Sequence, residues 1–224
     1  LRAGESFTTY STVDRDTLVL VVSAAYRDRL AMRTRWWPVV GRVPYQGYFD
    51  FAAAHRERDA LEAAGFDAEI RPASAFSTLG WFNDPLLNTS LRADSAELVE
   101  TVIHELVHST VWIKGDAVFN ESFANFVGVH GAAWFFRSRG DTAAGARVQR
   151  GWSQERVLGA WAAGLRLNNA TVMARRVYRT GLPLFDAVLD AEGGDLRRAF
   201  RRIADAAQAA PVGEAYAAVE ALGR

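Results

Sequence analysis

Two histidines four residues apart, with a glutamate directly after the first, are the residues best spaced to do chemistry in this chain: His104-Glu105-Leu106-Val107-His108. On a helix, residues four apart project from one face, so both imidazoles can reach a single ion. The intervening glutamate lies about 100° round the helix, close enough to a water on that ion without binding the ion itself. Zinc held this way lowers the pKa of its water to around 7, and the carboxylate can take the proton as the water attacks a polarised carbonyl. Two helix histidines can also be no more than a polar interface pair, so the motif needs a third ligand.

Metalloproteases that complete the site with a third histidine require Gly and His three and six residues after the second; here those positions hold Val111 and Lys114. Downstream, Asp116 and Glu121 are both within reach. A helix continuing six residues past His108 covers roughly 9 Å, and an extended segment 115–120 can return up to ~20 Å. Glu121, in FNESFAN at the start of a following helix, is the stronger candidate, and Asp116 reads as a turn or supporting residue. His130, nine residues after Glu121, falls about 180° round the same helix and cannot face the same ion. His55 sits in HRERD, a solvated helix face.

The elements that must carry these residues are legible in outline. Residues 17–22 (TLVLVV) read as a buried strand, and WWPVVGRVPYQGYF (36–49) as strands joined by tight turns. Asp50 caps a helix over 51–64 that Gly65 ends, and 67–72 returns as a strand. The stretch 74–90 reads as strand and loop, with 77–84 placed to hold an extended substrate along a sheet edge. Asp94 and Glu97 form a capping-box pattern before apolar residues at 98, 99, 102, 103, 106, 107 and 111, which predicts a helix over 95–114 closed by Gly115. A second helix is expected from about 120 to 139, then others over 141–165, 171–190, 193–208 and 213–222. The expected fold is α+β and zincin-like: a small mixed α/β lobe over 1–93, followed by a mainly helical lobe over 94–224.

Composition narrows the function classes. The 26 basic residues equal the 26 acidic ones, so no net field points to nucleic acid or an anionic membrane. The absence of cysteine excludes disulfides, thiolate zinc sites and cysteine nucleophiles. No run is long enough to span a membrane. The chain starts at Leu1 without a basic-then-apolar leader, which fits a removed leader or a truncated start.

VPYQGYFD (43–50), STLGWFNDPLLNTS (77–90), HELVH (104–108), KGDAVFNESFANF (114–126) and LNNA (167–170) together resemble a bacterial family of putative aminopeptidases within the gluzincins. The resemblance implies one zinc ion on His104, His108 and Glu121, with Glu105 as the catalytic carboxylate and a peptide as substrate. It also implies a bacterial envelope or periplasmic setting, with a lipid anchor on a preceding segment. Relatives often carry a cysteine pair flanking the P-V-V-G turn, where Trp36 and Arg42 stand here.

An oxyanion formed on attack needs a donor opposite the ion. Tyr178 is the candidate, with Tyr45 and Tyr48 as alternatives, although each is also a common type of core residue. Asn168 and Asn169 suit the cap of a helix beginning near Thr171, and Asn125 could hydrogen-bond a ligand. An aminopeptidase needs an acid for the free amine, for which Asp84 and Asp116 are available. Two rival readings stay open. One is a non-catalytic envelope protein whose zinc staples two helices through four ligands, Asp116 being the nearest fourth; the other is a hydrolase of non-peptide substrates.

Overall fold

In the computed structural model, which describes residues 5–73, 78–79, 81–92, 94–158 and 168–223 (backbone alone for 92 and 153–158), the chain adopts an α+β fold. A two-residue strand β1 (Tyr10–Ser11) precedes the predicted apolar strand, β2 (Val19–Tyr26), which starts two residues later and runs further than its apolar core suggests. The aromatic stretch forms a hairpin, β3 (Arg35–Trp37) with β4 (Gly41–Val43), and then β5 (Tyr45–Tyr48). Helix α1 (Phe51–Ala63) follows, capped by the Asp50 side chain on Ala52 N, and β6 (Phe66–Ala73) returns. The sheet order is β5-β2-β6, antiparallel throughout, and β1 pairs in parallel with a short β7 (Leu86–Leu87).

Because β2 is central, its two faces have different tasks. Val22 and Ala24, with Ala68 and Ile70 of β6, pack on Ala54 and Leu61 of α1. The opposite face carries Val19, Val21 and Ser23, in register with Gly47 and Tyr45 of β5 and with Ala73, Arg71 and Glu69 of β6. That second face looks toward the helices and forms one wall of a cleft. The expected edge strand over 77–84 is not found there: residues 77 and 80 lie outside the described residues, and 78, 79 and 81–84 form turns and irregular chain.

The helical part is built around α2 (Ser95–Thr110) and α3 (Ala117–Ser138). Asp94 caps α2 as its spacing predicts, accepting from Ala96 N and Glu97 N. The helix stops four residues earlier than expected: Val111 is extended (φ −136°, ψ 129°) and buried, so Val111 and Ile113 enter the core as extended chain rather than as a last helical turn. Helix α3 is apolar nearly all round as far as Ala133, because that part is the centre of the bundle; beyond it Trp134 is exposed. Its Phe119, Phe123 and Phe126 meet Phe185 of α6 (Leu182–Ala191) at ring separations of 5.5–5.6 Å, all four at most 1% exposed. Gly128 lets α2 come close, since a Cβ there would lie 3.0 Å from the Glu100 carbonyl oxygen.

Helix α4 (Thr142–Leu158) matches the start of the predicted 141–165 helix, whose last part lies outside the described residues. The predicted 171–190 helix is two: α5 (Asn169–Arg176) and α6, divided at Gly181. Gly181 has φ +66°, which ends a right-handed helix, and a Cβ there would collide with the Tyr216 ring at 2.4 Å. Pro183 then suits the first turn of α6. Helices α7 (Leu196–Ala209) and α8 (Ala215–Glu220) complete the bundle. Among the described residues, no helix is long and apolar enough to cross a membrane.

Candidate metal centre and catalytic cleft

Helices α2 and α3 bring His104, His108 and Glu121 together, as the spacing predicts. The His104 and His108 Nε2 atoms are 3.1 Å apart, and Glu121 Oε2 lies 3.3 Å from the first and 3.5 Å from the second. One donor atom from each residue falls within a set spanning at most 4.8 Å. Donor atoms sharing a small ion in tetrahedral array, about 2.0–2.1 Å from it, are about 3.3 Å from one another. The three separations match the edges of such a tetrahedron, and the group could hold a metal ion.

Asp116 does not join them. Its side chain caps α3 by accepting from Phe119 N at 3.2 Å, which starts the helix at 117 instead of 120 and puts Glu121 in its second turn. Among the described residues, the metal-competent group has those three members and no fourth. A closed structural site with Asp116 as fourth ligand is not what this chain builds.

What returns Glu121 to the histidines is Asn120, which the motifs did not single out. Its amide bonds both ways to one buried residue, Oδ1 accepting from Ile113 N and Nδ2 donating to Ile113 O, each at 2.8 Å. This closes the short connection between α2 and α3 and fixes the phase of α3. Asn120→Ala leaves two buried backbone groups unpaired, so unfolding in denaturant should show a loss of about 2–4 kcal/mol. Metal retention in dialysis should fall with it.

The electrostatics of the group follow from its depth. Burial alone would raise the Glu121 carboxyl, but the charge on His108 and the hydrogen bonds from both imidazoles hold it well below the usual range. Glu105, beside them on α2, goes the other way. Burial pushes its carboxyl up to about 7; His104 opposes this, while the charges of Glu121 and Asp84 add to it.

The three candidate tyrosines separate cleanly. Tyr48 packs on the far side of the sheet with α1, away from the cleft. Tyr45 Oη donates to Glu121 Oε1 at 2.5 Å, so its proton is already committed to the carboxylate. Tyr178 has its ring centroid 6.3 Å from that of His104, and its hydroxyl accepts from Arg71 Nη2. Its own proton therefore remains to be given, and among the described residues no acceptor takes it. Burial and the Glu121 charge raise its pKa above the ordinary tyrosine value.

Tyr178 is held by the same helix that carries Glu121. Ser122 Oγ donates to the Val177 carbonyl at 2.9 Å and accepts from Thr180 N at 3.1 Å. Asn125 Nδ2 donates to the Tyr178 carbonyl at 3.2 Å, so it supports the tyrosine instead of hydrogen-bonding a metal ligand. Asn168 caps α5 as expected, accepting from Thr171 N, and Asn169 Nδ2 ties the helix to the Tyr26 carbonyl at the end of β2.

The group lies in a cleft of about 750 Å³ between the sheet wall and α2. Its apolar lining includes Val19, Val21, Trp37, Val40, Phe49 and Trp112. Asp84 does not line it; the carboxylate is taken up by Thr78 N at 2.8 Å and Thr78 Oγ1 at 3.1 Å. Among the described residues, the acids that do, besides Glu105 and Glu121, are Glu97 and Glu100, two turns and one turn before His104 on α2. His130 is remote, 3.3 Å from Asp186 and packed between Phe126 and Trp152.

A family model described as "Putative aminopeptidase" matches residues 1–160. No curated protein and no solved structure matches the chain.

Proposed function

The chain belongs to the family described as "Putative aminopeptidase", and from that premise we propose that it hydrolyses peptides with one zinc ion and an activated water. His104, His108 and Glu121 would hold the ion, an HEXXH pair plus a downstream glutamate, which is the gluzincin arrangement. The observation that carries this is the convergence of those three donor atoms in a cleft that Glu105 also lines.

Two imidazoles and one carboxylate are a donor set that suits zinc and leaves a coordination position open. When bound, the ion would supply Lewis-acid polarisation of the scissile carbonyl and acidify the attacking water. Glu105 takes the proton of that water on a carboxylate oxygen and passes it to the leaving amine nitrogen. Tyr178 gives its phenol hydrogen bond to the carbonyl oxygen as negative charge develops there. Tyr45 steadies the Glu121 oxygen that faces away from the histidines. The apolar walls around Trp37, Val40 and Trp112 exclude water and suit the side chains of a peptide.

Tyr178→Phe should lower kcat by about a hundredfold with KM little changed, because the lost hydrogen bond matters only once charge has formed. The reading as a whole is tested by metal analysis of the purified protein together with a fluorogenic peptide panel. Paired substrates with free and blocked N-termini should show turnover restricted to the free ones. Protein carrying a full equivalent of zinc that cleaves neither set would overturn it.

A further inference from the structure

We propose that Arg71 is a positioning residue for the same reaction, holding the Tyr178 hydroxyl as an acceptor so that the phenol proton points at the reacting carbonyl. This rests on the role given to Tyr178 above and adds to it a residue that no motif includes.

Arg71 lies on β6 in register with Val21, so its side chain rises from the sheet face that walls the cleft. A guanidinium offers five N–H donors and no acceptor. Its Nη2 donates to Tyr178 Oη, and its central carbon sits 4.8 Å from the tyrosine ring centroid. Its Nε is buried without a hydrogen-bond partner. Tyr178 is the hydrogen-bonding partner it has among the described residues. The Glu121 charge favours the cation as well, yet a guanidinium buried with one direct partner and an unpaired Nε keeps a desolvation cost, so stability alone does not account for its place.

Its effect on Tyr178 does. A phenol has one proton and can accept as well as donate. An arginine can only donate, so the contact forces Oη to accept and leaves the O–H free to turn into the cleft. A carboxylate in the same place would capture that proton, as Glu121 captures the proton of Tyr45. The cation also draws electron density from the phenol oxygen and strengthens its donor character. It opposes burial and the Glu121 charge, which both disfavour proton release from Tyr178. The tyrosine is thus fixed at both ends: its carbonyl by Asn125 and its hydroxyl by Arg71.

The test is a double-mutant cycle on the zinc-loaded full chain, with kcat and KM measured on a tripeptide and on its C-terminal amide. Arg71→Met should lower kcat about tenfold or more, with KM within about twofold on both substrates. Arg71→Lys, which still presents a cationic donor, should recover most of the loss. In a Tyr178→Phe background the Arg71→Met change should cost less than about threefold, because the group it acts through is gone. Zinc content and melting temperature are followed in each variant, so a folding defect registers separately; the Arg71→Lys comparison then carries the test. Full additivity of the two losses would overturn the proposal. So would a KM rise confined to the free-acid peptide, since Arg71 would then be binding the substrate carboxylate itself. If Tyr178→Phe alone leaves kcat unchanged, the role of Tyr178 in the proposed mechanism falls first, and the result is distinct from both.

Discussion

Glu105→Gln should keep the metal and lose nearly all turnover, with kcat down by about a thousandfold or more. The amide is the same size as the carboxylate and lies on the same helix, so α2 and the two histidines should not move. What it removes is the capacity to take a proton. Burial raises the Glu105 carboxyl to about 7. A divalent cation beside it would draw that value down and leave the group ionised, as a base must be. The measurement is kcat on a fluorogenic aminoacyl substrate, with zinc counted in the same preparation. A metal-replete Glu105→Gln protein with unchanged turnover would remove the general-base step from the mechanism.

The second large effect is expected at the ligand that comes from the other helix. Glu121→Ala takes away one of three donors and also the acceptor of the Tyr45 hydroxyl. Outer-shell changes around metal sites already cost ten- to a hundredfold in affinity, so removal of a direct ligand should weaken zinc binding by more than about a hundredfold. The variant should lose its zinc on dialysis and lose activity in proportion. The parent protein treated with a chelator should behave likewise and recover with one equivalent of zinc. Secondary structure should survive, since Glu121 sits inside a helix whose packing is carried by Phe119, Phe123 and Phe126. Full zinc occupancy in a well-folded Glu121→Ala protein would show that another acid completes the site.

Why some of this was legible in advance and some was not can be traced residue by residue. His104, Glu105 and His108 belong to one helix, where spacing alone decides which side chains share a face. Glu121 required only that the chain turn back, a question of reach. The means of turning was not visible: Asn120 closes the connection by bonding to Ile113, and an asparagine before a glutamate carries no such signal. The extra helical turn predicted over 111–114 failed for a related reason. Val111 continues the apolar spacing of the helix, yet it is extended and buried, and Ile113 is buried beyond the helix end. Gly181 and Pro183 were the local sign that 171–190 is two helices.

Arg71 shows a different kind of blindness. In β6, Glu69 and Arg71 alternate with Ala68 and Ile70, a pattern that on its own reads as a strand with one solvated face. Arg71, on that polar face, lines the cleft. The same ambiguity covered the tyrosines: three were candidates by type, and only the identity of each hydroxyl's partner separated them.

By itself the sequence determined the chemistry on offer: two imidazoles and a base from one stretch of helix, a carboxylate within reach, no thiols and no net charge. Those are consequences of residue type and of helical period, which act over a few residues. Tertiary structure decided that Asp116 caps a helix, that Tyr45 is tied to Glu121 while Tyr178 keeps a proton to give, and that an arginine from the sheet stands behind it. Each depends on a partner far off in the chain, and a hydrogen bond goes to whichever group packing brings near, a choice that local periodicity does not encode.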